Sequence, residues 1–271
     1  MTNATDHQRH QMYSSSLANG MLVLNSFKVD EPALSNGELS IRTGLSKASI
    51  SRITYTLCEL GFLSYAPQER RYRLGSATLT IGYPLLGSLW IRQFARPFMQ
   101  ELANRSRGSV SLGLRDRSNM VYIETCRGHD AIAFRPDIGG VLPICSTAMG
   151  RAWLAGVPPE LREQTLEYIR IEQPEVWTRH QQALQTSLSD YATQGFCISS
   201  GDWQQDVHAV AVPMRLAIDG ETLVFNCGVR ARLLSTKSLQ DDFGPRLVQM
   251  VRKIEADYGA ALRQNTEAAR P

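Results

Sequence analysis

The side chains best suited to recognise another molecule fall between positions 42 and 73. Ser46, Lys47, Ala48, Ser49, Ser51, Arg52 and Tyr55 occupy successive turns of one segment, with Arg42 just before it and Arg70, Arg71 and Arg73 downstream. Small hydroxyl side chains and a lysine at the start of a helix allow close approach to a phosphate, because the free N–H groups and dipole of the first turn attract an anion. Arg52, one turn further along, carries the planar fork that pairs with guanine O6 and N7 or with a phosphate. Tyr55 can add a backbone contact, and the three downstream arginines suit phosphate or minor-groove contact. This set points to recognition of double-stranded DNA, with phosphate contacts supplying affinity and the helix supplying sequence choice.

The surrounding residues predict the elements that would hold these groups in place. Leu17, Met21, Leu24 and Phe27 recur at helical spacing and predict a helix over Ser14 to Phe27. After Asp30-Glu31-Pro32, the run Ser35-Asn36-Gly37-Glu38 has the form of a capping box. A short helix through Thr43 follows, with Gly44 as its left-handed C-cap, and Ser46 then caps a helix from Lys47 to about Leu60. Ile50, Ile53, Leu57 and Leu60 form its apolar stripe, and Gly61 stops it. Strands at Phe62 to Tyr65 and Tyr72 to Leu74 flank a turn with a basic tip. A short helical hairpin is by itself an ordinary packing unit, and a lone Arg or Lys is ordinarily just solvated. The ordered combination of capped helix, Gly turn, Ser-capped helix, Gly stop and basic hairpin describes a winged helix-turn-helix.

Composition limits the remaining possibilities. A 271-residue chain with 43% hydrophobic and 20% charged residues is long enough for a small domain and a second one with a sizeable core. Net charge is only +3, so affinity for DNA must come from a local basic patch. Cys58, Cys126, Cys145, Cys197 and Cys227 are odd in number and scattered, without zinc spacing, which reads as reduced thiols. The polar segment Met1 to Tyr13 is unlike a signal peptide, and no stretch suits a membrane span, so a cytoplasmic location without membrane contact is expected. Nothing in the sequence calls for a metal or cofactor.

Beyond position 75, Ala77 to Ser88 reads as a connector, and Ile91 to Asn104 as an amphipathic helix with Phe94, Phe98 and Leu102 on one side. Strand patterns follow at Ser109 to Leu114, Met120 to Glu124 and Ala131 to Arg135. Ala148 to Ala155 and Trp177 to Gln194 read as helices, Val207 to Met214 and Leu223 to Val229 as strands, and Leu239 to Leu262 as a closing helix. Strands and helices mixed in this way indicate an α+β fold. The expected layout is a disordered tail over 1–13, a DNA-binding domain over 14–75, a linker helix over 76–90, a second, larger domain over 91–262 and a tail over 263–271.

These residues resemble the IclR-type bacterial transcriptional regulators along nearly the whole chain. Leu34-Ser35 and Thr43 through Arg52 look like that family's helix-turn-helix, and Tyr72-Arg73-Leu74-Gly75 is similar to its wing. Leu142-Pro143 followed by Ser146 to Ala152 resembles its L-P-x-x-x-T-A-x-G-K-A motif, and Gly195-Phe196 and Val210 to Pro213 resemble its G-(Y/F) and A-A-P-V elements. The resemblance implies a winged helix, a linker helix and a GAF- or profilin-like effector domain with a curved antiparallel sheet flanked by helices, which makes the domain over 91–262 an effector-binding and oligomerisation domain. It implies a homodimer and admits a dimer of dimers, binding a DNA operator. Carried over by position, it places Ala148, Met149, Ser199 and His208 at the effector site. Leu142, Ile144 and Val210 would then be apolar walls, and a helix N-terminus at Ala148 and Met149 would favour the carboxylate of a small organic acid, aromatic acids included. The chain departs from the family where Asp206 and His208 replace a usual Gly and Cys. His208 also reads as a satisfied core histidine, and Met149 as core packing.

Two other classes remain open at this level. A cysteine nucleophile, Cys126, Cys145 or Cys197, with His208 as base would make a hydrolase, although no G-x-S-x-G, P-loop or H-E-x-x-H is present. The other class is an architectural DNA-binding protein whose second domain only oligomerises.

Overall fold

The computed structural model describes residues 12–129, 136–233 and 236–268. The chain divides into two compact units, Met1–Ser88 and Leu89–Pro271.

Local hydrogen bonding explains most of the first unit. Helix α1 (Ser15–Leu24) starts where Ser14 accepts the N–H of Leu17 and ends three residues earlier than its apolar spacing suggests, at Asn25. Strand β1 (Ala33–Leu34) precedes α2 (Asn36–Thr43), whose capping box is complete. The Ser35 hydroxyl accepts the Glu38 N–H at 3.3 Å, and the Ser35 N–H donates to Glu38 Oε2 at 2.8 Å. Gly44, at φ 71°, ends α2 in the left-handed conformation that a Cβ disfavours. Helix α3 (Lys47–Glu59) then starts at Ser46, which accepts the Ser49 N–H. Its fully buried stripe is Ile50, Thr54 and Leu57; Ile53 is only half-buried and Leu60 is exposed. Thr54 is tolerated inside because its hydroxyl donates back to the Ile50 carbonyl at 2.9 Å.

Strands β2 (Leu63–Ala66) and β3 (Arg71–Leu74) pair antiparallel, and β1 adds to the free edge of β3, giving the order β1-β3-β2. Two-residue β1 is too short to carry an alternation, so it is not legible in the sequence. Val23, Leu34, Leu39, Ile50, Leu57 and Leu63 make the core of this unit. Helix α4 (Ala77–Ser88) buries none of its residues and carries no charged side chain.

The second unit opens with α5 (Trp90–Ser106), β4 (Ser109–Asp116), β5 (Asn119–Arg127) and β6 (Val141–Pro143). Helices α6 (Ala148–Gly156), α7 (Pro159–Glu172) and α8 (Pro174–Gln194) follow, then β7 (Cys197–Ser200), β8 (Val207–Pro213) and β9 (Val224–Arg230). A π turn at Leu239–Phe243 leads into α9 (Gly244–Ala268). Among the described residues the sheet has the order β6-β5-β4-β9-β8-β7, and its pairings are antiparallel. Helices and sheet are thus mixed, as in an α+β fold. The strand read at Ala131 to Arg135 lies outside the described residues, whereas β6, β7 and α7 carry no strong signal in the sequence.

Because side chains alternate across a sheet, β8 sends Ala209 and Ala211 into one cluster with Met149, Ala152 and Trp153 of α6. Val210 and Val212 project from the opposite face. A β-bulge in β5 decides which residues share the first face. Leu112 pairs with Glu124, but the next residue, Gly113, pairs with Tyr122, so Ile123 is the extra residue. The bulge moves Tyr122 to the α6 side, where strict alternation would have put Ile123. Glu124, buried on the other face, accepts from Arg92 at 3.1 Å and Arg96 at 2.7 Å on α5.

Candidate DNA interface and effector cavity

On α3, Lys47, Ala48, Ser51, Arg52, Tyr55 and Thr56 are exposed and recur at three- and four-residue spacing, so they share one side of the helix. Ser46 is exposed at its start, and Ser49 is half-buried with its hydroxyl 3.0 Å from that of Ser46. Ser51 accepts from the Asn36 amide at 3.3 Å, which ties the helix to the start of α2. Thr56 completes this exposed side but was not singled out in the sequence, because threonine carries no charge signal.

The arginines divide into two groups that the sequence does not distinguish. Arg42 donates to Glu31 at 2.7 Å and to the Ser26 carbonyl at 2.8 Å, bracing the loop after α1. Arg71 donates to Glu38 at 3.0 Å and to the Ala33 carbonyl at 2.8 Å, so it fastens β3 to the capping box of α2. Arg73 pairs with Glu69 within the wing. Glu38, held by the Ser35 backbone N–H and hydroxyl and then by Arg71, has its pKa lowered to about 2. Among the described residues, Lys47, Arg52 and Arg70 make no ion pair. Arg70 stands at the wing tip with φ 52°, and no acidic side chain neutralises it. Apart from Lys28 in the loop after α1, the free positive charge among the described residues of this unit lies on the exposed side of α3 and at the tip of the wing.

In the second unit, a small cavity of about 30 Å³ opens between the sheet, the start of α6 and the loop after β7. Strand register builds its floor. One cross-strand row runs Ser199, Ala209, Gly228, Ser109, and the next runs Cys197, Ala211, Asn226, Ser111, Thr125. The small side chains in the middle of these rows hollow the floor. Tyr122, Leu142 and Trp203 enclose it, and Thr147 and Ala148 stand at one end. None of the described lining residues is charged.

Thr147 caps α6: its hydroxyl accepts the Gly150 N–H at 3.2 Å and donates to the Pro143 carbonyl at 2.7 Å. The N–H groups of Ala148 and Met149 are thus the unspent donors of the first turn. Gly150 lets this turn press against the preceding loop, since a Cβ there would lie 2.2 Å from the Ile144 carbonyl oxygen. Ser199 donates to the Ser146 carbonyl at 3.0 Å and lies 3.4 Å from Asp202. Asp202 in turn pairs at 2.8 Å with Arg151, which is 2% exposed and also donates to the Cys145 carbonyl. This buried pair anchors the segment carrying Trp203.

Leu142, Ala148 and Ser199 line the cavity. Met149 and Ile144 are buried in the core behind it. His208 and Val210 project from the other face of β8 and do not line it, because β8 alternates and Val207 and Ala209 take the cavity side. Tyr122, Asn226, Ser109, Thr147 and Trp203 line it without having been picked out in the sequence; a bulge and four separated segments bring them together. The cysteines lack the features of a nucleophile. Burial raises the thiol pKa of Cys126 and Cys145 and pushes that of Cys197 up to about 12, the reverse of what attack requires.

Comparison with known families matches residues 16–67 to the IclR helix-turn-helix domain and residues 84–255 to the bacterial transcriptional regulator IclR C-terminal domain. The chain belongs to the IclR family. It is therefore a DNA-binding transcriptional regulator of a family that consists of regulators and not enzymes. It is 32% identical over 248 residues to the HTH-type transcriptional regulator TsaQ1/TsaQ2 of Comamonas testosteroni, covering 91% of this chain and 89% of that one. The crystal structure of an IclR-family regulator from Brucella abortus superposes with a TM-score of 0.81 at 38% identity, covering 94% of this chain and 97% of that one. An IclR homologue from Microbacterium hydrocarbonoxydans, crystallised in complex with 4-hydroxybenzoate, shares the fold at TM-score 0.68 and 21% identity, over 92% of this chain and 100% of that one. No helix among the described residues is long and apolar enough to cross a membrane.

Proposed function

We propose that this IclR-family regulator binds its operator through the exposed side of α3 and the wing, and senses a small organic acid in the cavity of its second unit. Ser46, Lys47, Ala48 and Ser49 approach a phosphate at the start of α3, while Ser51, Arg52 and Tyr55 face the major groove, with Arg52 reading a base edge. Arg70 supplies a phosphate or minor-groove contact, Arg73 adds to it when Glu69 is displaced, and Arg42 and Arg71 act by holding the helices and wing in register. The observation that carries the sensing half is the unspent first turn of α6, at Ala148 and Met149, beside an uncharged, polar-floored cavity. Such a turn favours a carboxylate, which Ser199 and Thr147 flank. A fold relative holds an aromatic acid.

The active species is a homodimer, able to pair into a dimer of dimers. Helix α4 supports this reading: Leu79, Ile81, Tyr83 and Leu85 are each more than half exposed on a helix without charge, a surface that a partner would cover. A ligand that binds one dimer arrangement better shifts the population by its differential affinity alone. Selection of genomic fragments by the purified protein, followed by footprinting, tests the DNA half, and a short palindromic site is expected. Recovery of nothing above random DNA at moderate salt would overturn it. A thermal-shift screen of organic acids tests the sensing half, and stabilisation by none of them would favour the architectural reading.

A further inference from the structure

We infer that Asn226 is the specificity-determining residue of the cavity, and that it selects an effector bearing a hydrogen-bond donor in addition to its acid group. The inference rests on the acid-sensing reading above and adds to it which acids are accepted. Asn226 lies on the cavity floor and is 5% exposed. Its Nδ2 donates to the Tyr122 hydroxyl oxygen at 3.2 Å, which turns Oδ1 away from the tyrosine. Its Oδ1 is buried and has no hydrogen-bond partner among the described residues. The neighbours in its cross-strand row do not supply one: Ala211 offers a methyl group, and the Ser111 hydroxyl is engaged with Thr125 at 3.0 Å.

The other polar groups on the cavity wall cannot discriminate in this way. The hydroxyls of Ser109, Thr147 and Ser199 can turn to donate or to accept, and two of them already donate to backbone carbonyls. A carbonyl oxygen can only accept. A ligand that covers Oδ1 without donating to it leaves a desolvated acceptor unpaired, which penalises binding, whereas one with a hydroxyl or N–H at that place recovers the bond. A site built to pair with such a donor therefore rejects the analogue that lacks it far more strongly than an apolar pocket rejects a missing methylene.

The test uses the full-length protein and matched acids differing by one hydroxyl: benzoate and 4-hydroxybenzoate, phenylacetate and 4-hydroxyphenylacetate, butyrate and 3-hydroxybutyrate. Calorimetry and thermal shift give the affinity ratio within each pair. Among the acids that bind, the hydroxylated member is expected to bind about 10-fold or more tightly, and Asn226→Leu is expected to bring the pair together by weakening that member alone. Tyr122→Phe, which frees the amide to turn over, is expected to narrow the ratio in the same direction. Equal binding of both members by the wild type overturns the inference while leaving the acid-sensing reading intact. So does an undiminished preference in Asn226→Leu. Binding of no acid by the wild type overturns both. If Asn226→Leu fails to fold, the wild-type ratio together with Tyr122→Phe decides.

Discussion

The two units expose their working groups in opposite ways. The side of α3 proposed to read DNA is solvent-facing, lies above a core of small size, and is held by caps that span no more than four residues. The cavity is lined by side chains buried between a sheet and a helix, and these come from segments as far apart as Ser109 and Gly228. In the first unit, structure must only present charge. In the second it must hollow out a space, satisfy the polar groups facing it and compensate the buried Arg151. The contrast teaches where substitutions should harm folding and where they should harm recognition alone.

The largest effect is expected at Asp202. Asp202→Ala leaves Arg151 buried without its carboxylate and should lower stability by about 3 kcal/mol, toward the low end of the cost of breaking a buried pair because Asp202 is itself 34% exposed in its side chain. Urea unfolding measures it, and a loss below about 1 kcal/mol would show that water reaches the guanidinium and that the units differ less than proposed. Next is Arg52→Ala, expected to weaken operator binding by about 1–3 kcal/mol if it reads a base, with unchanged unfolding. An unaltered affinity for both operator and random DNA would remove Arg52 from the reading face.

Ser35→Ala should cost about 1 kcal/mol of stability through the lost cap. It should also flatten the acid response of the first unit. Glu38 titrates near 2 in the folded chain against an ordinary 4.5, so the stability it contributes is full above the ordinary value and is lost as pH falls through about 2. Urea midpoints at pH 7 and pH 3 in the two proteins check this, since equal slopes would mean that Ser35 does not hold the carboxylate. The smallest effect is expected at the wing tip. Arg70→Gly should leave stability nearly unchanged, because glycine accepts φ 52° readily, while the slope of log affinity against log salt falls by about 1. An unchanged slope would place the wing away from the phosphates.

Ser35 with Glu38, Gly44 and Ser46 spell out the helix-turn-helix because each satisfies or redirects backbone groups within a single turn, and a sequence displays such neighbours directly. The start of α6 at Ala148 and Met149 was reached through the family motif, and its Thr147 cap was not read. Which arginines are free was not legible: Arg71 is spent on Glu38, 33 positions away, and only folding brings the two together. The cavity was legible only at its local edge, Leu142, Ala148 and Ser199. His208 stood beside the right residues in the chain but on the wrong side of β8, since neighbours along a strand face opposite ways. Tyr122 reaches the cavity only because Ile123 bulges, and Asn226 only because β9 pairs between β4 and β8. By itself the sequence determined the caps of α2 and α3 and most of the helices, which rest on hydrogen bonds and periodicities a few residues long, and its motifs carried the resemblance to the family. Strand order, register and the partner of each buried charge were left to the tertiary structure, because they depend on contacts between residues that nothing local relates.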